Sequence, residues 1–129
     1  PLVSAVVKAT IDALRELDAP ERARKMGERI ISGIEAILSR HKFQFVKEVR
    51  GRGLLIAIEF TDEAYAGEFL LEMVSNRVII SHSLNAHATA RLTPSLTFSD
   101  ADIASLLNAV ESSLSNIHVR YFQEEGVQV

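Results

Sequence analysis

Apolar residues recur along this chain in two periods, and the changes of period divide it into segments. From Ala23 onward, Met26, Ile30, Ile34, Ile37 and Leu38 follow one another at three- and four-residue steps, with Arg22, Lys25, Glu28, Arg29 and Glu35 on the other side. That is the signature of a helix with one apolar face, and it predicts a helix from Asp18 to about His41. Asp18 is placed to cap its free N–H groups, and Pro20 fits the first turn, where its missing N–H costs nothing. Ahead of it, Pro1 to Leu17 also reads as a helix, but its apolar residues do not keep to one stripe. Leu2, Val6, Ala9 and Ala13 lie along one side, while Val3, Val7, Ile11 and Leu14 cover much of the rest. A helix apolar nearly all round needs cover on several sides. Two readings stay open for it: a helix partly exposed at a crystal or dimer contact, and a helix that once sat between two domains.

The period then shortens. Phe43 to Val49 reads as a first strand, Arg50-Gly51-Arg52-Gly53 as a turn, and Leu54 to Phe60 as a second strand, apolar on both faces and therefore central. Ala64 to about Ser75 is a short helix with Phe69, Leu70, Met73 and Val74 inward. Arg77 to Ser81 is a third strand, Ser83 to His87 a loop, and Thr89 to Leu92 a fourth strand, with Pro94 keeping Thr93 out of helical geometry. Ser99 and Asp102 have the spacing of a capping box. The helix they open carries Ile103, Leu106, Leu107, Val110 and Leu114 as its inward stripe. The order α-α-β-β-α-β-β-α predicts an α+β domain with a small antiparallel or mixed sheet of three to four strands and helices on one face. The expected units are residues 1–17, an interdomain helix; 18–116, the domain proper; and 117–129, a C-terminal tail.

Composition narrows the class. With 129 residues, 47% apolar and 24% charged, the chain is that of one globular domain. Its formal charge is −3 and its cations are interspersed with acids, so a nucleic-acid groove is not expected. It has no cysteine, which excludes disulfides, thiolate metal sites and a cysteine nucleophile. No apolar run approaches the roughly 18–20 residues of a membrane span, and no signal peptide is visible. A cytoplasmic location is the expectation.

Few residues suggest chemistry. The glycines of Arg50-Gly51-Arg52-Gly53 would let amides approach a phosphate, but the spacing differs from a dinucleotide loop and a strand follows where a helix is needed. A tight turn is the simpler reading. His82 and His87 lie five apart across a loop, without the spacing of zinc ligands on a helix, and no metal site is expected. His41 and His118 sit near helix ends, where positive charge complements the dipole. Ser81, Ser83, Ser95 and Ser99 lack a nucleophile elbow. Glu59 reads as a solvated strand edge. Arg91, in Ala90-Arg91-Leu92-Thr93-Pro94-Ser95-Leu96, is a guanidinium between apolar segments, and its fork matches a carboxylate. Two readings stay open for it: a structural ion pair and a ligand site.

Taken together, the segments resemble one family. Val49-Arg50-Gly51-Arg52-Gly53-Leu54-Leu55-Ile56-Ala57-Ile58-Glu59-Phe60 is similar to the R-G-x-G-apolar-x-x-x-I-E segment of class III aminotransferases. Further along, Arg91-Leu92-Thr93-Pro94-Ser95-Leu96-Thr97 resembles their R-x-x-P-x-L-T motif, and Ser99 to Leu114 their final helix. Pro1-Leu2-Val3-Ser4-Ala5 looks like the continuation of a G-N-P-L-x-x-A segment. Within the family, Arg77-Val78-Ile79-Ile80 followed by Ser83-Leu84-Asn85-Ala86 is most similar to the putrescine branch, with its T-L-N-N-A-like loop, although His87 departs from that branch's lysine.

The resemblance implies the C-terminal small domain of a pyridoxal-phosphate enzyme. The cofactor would sit on a lysine of a separate large domain, and the active form would be a homodimer whose sites draw on both subunits. The small domain would close over a small-molecule amino donor and 2-oxo acid. It further implies that Arg91 holds a substrate carboxylate, that of the oxo acid where the donor is a diamine. Lys8, Lys25, Lys42 and Lys47 match no cofactor-lysine segment, so the isolated chain is expected to bind no pyridoxal phosphate and to be inactive alone. The competing expectation is a binding or interaction module that reuses the fold without chemistry.

Overall fold

In the computed structural model, which describes residues 1–122, the first helix α1 spans Leu2–Glu16 and the second, α2, spans Ala19–His41. The chain bends between them at Asp18, whose backbone is left-handed (φ 44°). The Asp18 side chain makes no capping hydrogen bond, contrary to the sequence expectation. Its carbonyl instead accepts from the Arg22 amide at 2.9 Å. On α2 the three- and four-residue spacing places Met26, Ile30, Ile34 and Ile37 in the core.

Strands β1 (Val46–Arg52) and β2 (Leu55–Phe60) follow, then helix α3 (Glu63–Ser75), strands β3 (Ser81–His82) and β4 (Thr89–Leu92), and helix α4 (Asp100–Phe122). The strands form one antiparallel sheet in the order β1-β2-β4-β3, so β2 is central as its composition required. Ile56, Ile58 and Phe60 point to the helices and are buried, as are Ala90 and Leu92 beside them. Helices α2 and α3 cover that face, and α4 lies against both. The architecture is α+β, with the helices on one side of a four-stranded sheet. Among the described residues, no helix is long and apolar enough to cross a membrane.

Several boundaries differ from those the sequence suggested, each for a local reason. The first strand begins at Val46, because Phe43 to Val46 closes a turn (Val46 amide to Phe43 carbonyl, 3.1 Å) that buries both Phe43 and Phe45. Pairing then continues through Arg52, and the turn contracts to Gly53-Leu54. Gly53 has φ +56°, a left-handed conformation suited to glycine in a two-residue hairpin loop. Helix α2 approaches this turn so closely that a Cβ on Gly27 would lie 1.9 Å from the Gly53 carbonyl oxygen.

The third strand is two residues long, not five. Helix α3 ends in a Schellman turn: Arg77 is left-handed (φ 62°), its amide bonds Val74, and the Val78 amide reaches back to the Met73 carbonyl at 2.9 Å. That geometry commits residues 77 and 78 to the helix end, so pairing starts only at Ser81.

Helix α4 runs beyond the expected boundary near residue 116. Ile117 is fully buried, and Phe122 stacks on Phe45 with centroids 5.5 Å apart. The part of the 117–129 tail from residue 123 onward, Glu124 to Gly126 included, lies outside the described residues. At its start, α4 forms the expected capping box. The Ser99 amide and hydroxyl donate to the Asp102 carboxylate at 2.8 and 2.7 Å, and the Asp102 amide donates to the Ser99 hydroxyl at 3.2 Å.

Candidate functional site

The sheet has a second face, which no helix covers among the described residues. Strand alternation decides what stands there. Because Ala90 and Leu92 point into the core, Arg91 between them projects outward and is exposed. Register then aligns one residue from each strand into a row: Arg50 on β1, Ala57 on β2, Arg91 on β4 and Ser81 on β3. Glu59 and Leu55 flank Ala57 on the same face, Leu55 being 58% exposed.

The two arginines of this row differ. Arg50 donates to Glu48 and to Glu59, each at 2.5 Å, and Glu59 also accepts from Lys47 at 2.5 Å. The ammonium of Lys47 and then the guanidinium of Arg50 hold the Glu59 carboxyl below its usual range, while Glu59 raises both cations. Glu59 is therefore a charged, fully partnered carboxylate in the middle of the face. Its strand is central, not an edge, and its carboxylate remains at the surface between two cations.

Arg91 has no carboxylate within ion-pair distance among the described residues. Its Nε donates to the Ser81 hydroxyl at 3.1 Å, and that hydroxyl lies 3.5 Å from the Arg91 carbonyl, to which it donates. Of the two readings open for Arg91, a structural ion pair is not formed within residues 1–122. An exposed guanidinium with an unfilled fork on an open sheet face is equipped to bind a planar anion.

The loop after Arg91 is tied down from α2. Arg22 donates to the carbonyls of Leu96 and Phe98 at 2.7 and 3.4 Å, and Arg29 pairs with Asp100 at 2.7 Å. Arg22, Arg29, Phe98 and Asp100 line a groove of about 340 Å³ between the start of α2 and the start of α4.

The other sequence candidates lie elsewhere. Arg50 to Gly53 is the β1–β2 hairpin seated on α2, a scaffold feature. His82 and His87 close the β3–β4 loop, the His82 ring Nε2 lying 2.5 Å from the His87 carbonyl and the two rings 5.9 Å apart. No group of acidic and histidine side chains able to hold a metal occurs among the described residues. His41 stacks on Phe43 and bonds Glu111 at 2.7 Å, and His118 packs between Phe43 and Phe122. Of the serines, Ser99 caps α4 and Ser81 joins Arg91.

Lys8 pairs with Asp12, Lys25 with Glu21 and Lys47 with Glu59, while Lys42 is the exposed left-handed cap of α2. Sequence reasoning found Arg91 but not Ser81 or Arg22. Their partners are ten and 74 residues away, and only the hairpin register or the helix docking brings them together.

Comparison with known proteins adds an independent line. The family model described as Aminotransferase class-III matches residues 1–114. Among solved structures, acetylornithine aminotransferase from Elizabethkingia anophelis is similar over 90% of this chain and 30% of its own, with 28% identity and a TM-score of 0.80. Ornithine delta-aminotransferase of Plasmodium falciparum is similar over 90% of this chain and 29% of its own, at 27% identity and TM-score 0.78. Ornithine aminotransferase from Toxoplasma gondii ME49 shares the fold over 93% of this chain and 28% of its own, at 22% identity and TM-score 0.84. The chain thus spans less than a third of the length of these solved structures.

Proposed function

Because the chain belongs to the class III aminotransferase family, we propose that it is the small domain that closes over the substrate of a transaminase, with Arg91 gripping the carboxylate of a 2-oxo acid or amino acid. The observation that carries this reading is the guanidinium fork of Arg91, which meets no carboxylate among the described residues and is held by Ser81 on the sheet face that no described helix covers. The parent enzyme moves an amino group from an amino acid or diamine to a 2-oxo acid. A diamine donor of the putrescine kind is supported by the Ser83-Leu84-Asn85-Ala86 loop, which belongs to the same hairpin as Ser81. With such a donor, Arg91 serves the oxo-acid half of the reaction.

The family is pyridoxal-phosphate-dependent, and that cofactor needs a lysine for its aldehyde and an acidic partner for its ring nitrogen. The described residues do not fit it. Three of the four lysines are ion-paired on the surface, and the fourth caps a helix in solvent. On this reading the cofactor belongs to another part of the enzyme, and this chain alone is expected to carry no transamination. Its contribution is to orient a carboxylate and to exclude water on closure. The exposure of Leu2, Val3, Val6 and Val7, each more than half exposed, supports a place for helix α1 between two domains; a homodimeric, cytoplasmic enzyme completes the proposal.

Calorimetric titration of the chain with 2-oxoglutarate tests the Arg91 role. Weak binding is expected for the wild type. A loss of about tenfold or more is expected for Arg91→Ala, since a hydrogen bond to a charged group carries about 1.5–3 kcal/mol. Equal affinity in both, or no binding by the wild type, would overturn the role.

A further inference from the structure

We propose that Ser81 is a positioning residue for Arg91, fixing which edge of the guanidinium is offered to the carboxylate. The inference rests on the carboxylate role just given to Arg91.

A guanidinium can meet a carboxylate side-on, through Nε and one Nη, or end-on, through the two Nη groups. In the ligand-free chain the Nε–H is already spent on the Ser81 hydroxyl at 3.1 Å. The hydroxyl oxygen also lies 3.5 Å from the Arg91 carbonyl, a long contact to which the hydroxyl can donate while it accepts from Nε. The end-on edge, through the two Nη groups, makes no hydrogen bond among the described residues. The neighbour of Arg91 on the β2 side is Ala57, whose methyl side chain leaves room above the strand, and Arg50 beyond it is neutralised by Glu48 and Glu59. The site is thus built for a planar carboxylate arriving end-on over Ala57.

A long exposed arginine otherwise loses substantial rotamer freedom when it engages a ligand. Ser81 removes part of that freedom beforehand, which is how preorganisation strengthens binding. The register that brings Ser81 opposite Arg91 exists only because β3 begins at residue 81, after the turn that ends α3. The pairing is thus tied to the point where the edge strand begins.

The test uses the full chain, labelled with nitrogen-15, and glutarate as the probe, followed by the Arg91 Nε–Hε and Nη signals. In the wild type, glutarate should shift the Nη signals and leave the Nε–Hε signal nearly in place. Ser81→Ala should move the ligand-free Nε–Hε signal toward that of a solvated arginine and weaken glutarate binding by about threefold to tenfold, the worth of one ordinary hydrogen bond. Ser81→Thr, which keeps the hydroxyl and suits a strand, should bind within about twofold of the wild type.

Thermal melts of the variants control for folding, since a structural role alone would lower the midpoint without exchanging the shifted signal. If Ser81→Ala binds like the wild type while Arg91→Ala does not bind, the positioning role is wrong and the carboxylate role stands. If glutarate moves Nε–Hε first in the wild type, the end-on geometry is wrong. If the wild type does not bind glutarate at all, the carboxylate role fails and the positioning role falls with it.

Discussion

Helices α1 and α4 are both rich in apolar residues, yet α4 buries Ile103, Leu106, Ala109, Val110, Ser113, Leu114 and Ile117, while α1 buries nothing. The difference lies in the width of the apolar arc and in the number of neighbours. The stripe of α4 is matched by α2 on one side and α3 on the other. On α1, Lys8, Asp12, Arg15 and Glu16 gather on one side, with Lys8 and Arg15 both paired to Asp12, and the apolar residues take more than half of the circumference. A helix docked on a single surface needs a narrower face. α1 meets only α2, at the bend around Asp18, where Ile11 and Leu14 line an apolar hollow with Ala19 and Pro20. Apolar content therefore does not dictate burial. It dictates how much partner surface an element requires, and within residues 1–122 only α4 has enough.

The contrast can be broken most severely from the α4 side. Leu114→Ala empties a fully buried position and should cost about 2–5 kcal/mol in urea denaturation. A loss below 1 kcal/mol would mean that α4 is less firmly packed than α1 is exposed. Next in size is the α4 cap. Ser99→Ala should cost about 1 kcal/mol, because two amides lose their partners or the group that orients them.

Acid should attack the same helix. The Ser99 hydroxyl and then its amide hold the Asp102 carboxyl below its ordinary value, and His41, with smaller help from Arg40, does so for Glu111. A carboxyl whose folded pKa is depressed contributes stability above its unfolded pKa of about 4, and loses it as the pH falls through the folded value. Unfolding free energy should therefore decline on acidification from about pH 5 toward pH 3. The decline should be shallower in the Asp102→Asn, Glu111→Gln double variant, and an unchanged slope would show that neither carboxyl is coupled to folding. The smallest effect is expected on α1. Val3→Ser with Val7→Ser should change stability by no more than about 0.5 kcal/mol. A larger loss would show that α1 is packed in solution after all.

Local signals in the sequence were clear wherever one element's own residues settle the matter. The capping box at Ser99 and Asp102, the apolar spacing of α2, and the central place of β2 all follow from periodicities and short-range hydrogen bonds. Arg91 stood out because a charge between apolar strand residues needs an explanation. The errors share a cause of the opposite kind. Phe43 and Phe45 alternate as strand residues do, but their burial comes from an aromatic cluster with Phe60, Tyr65 and Phe122. The run from Arg77 to Ser81 reads as a strand because Val78, Ile79 and Ile80 are β-formers, yet the end of α3 claims Arg77 and Val78, and Ile79 is left 90% exposed.

The amino-acid sequence by itself determined the order of elements, the inward stripes of α2 and α4, the caps, and an outward-facing arginine on a strand between apolar neighbours. Those features depend on the helical and strand periods and on contacts a few residues apart. Only the tertiary structure decided that Arg91 meets Ser81 and, among the described residues, no carboxylate, that Arg50 is neutralised by Glu48 and Glu59, and that Arg22 braces the loop that follows. Each of these is set by strand register or helix docking between residues far apart in the chain. One shift of register would turn every side chain of a strand to the other face, so no local pattern can specify them.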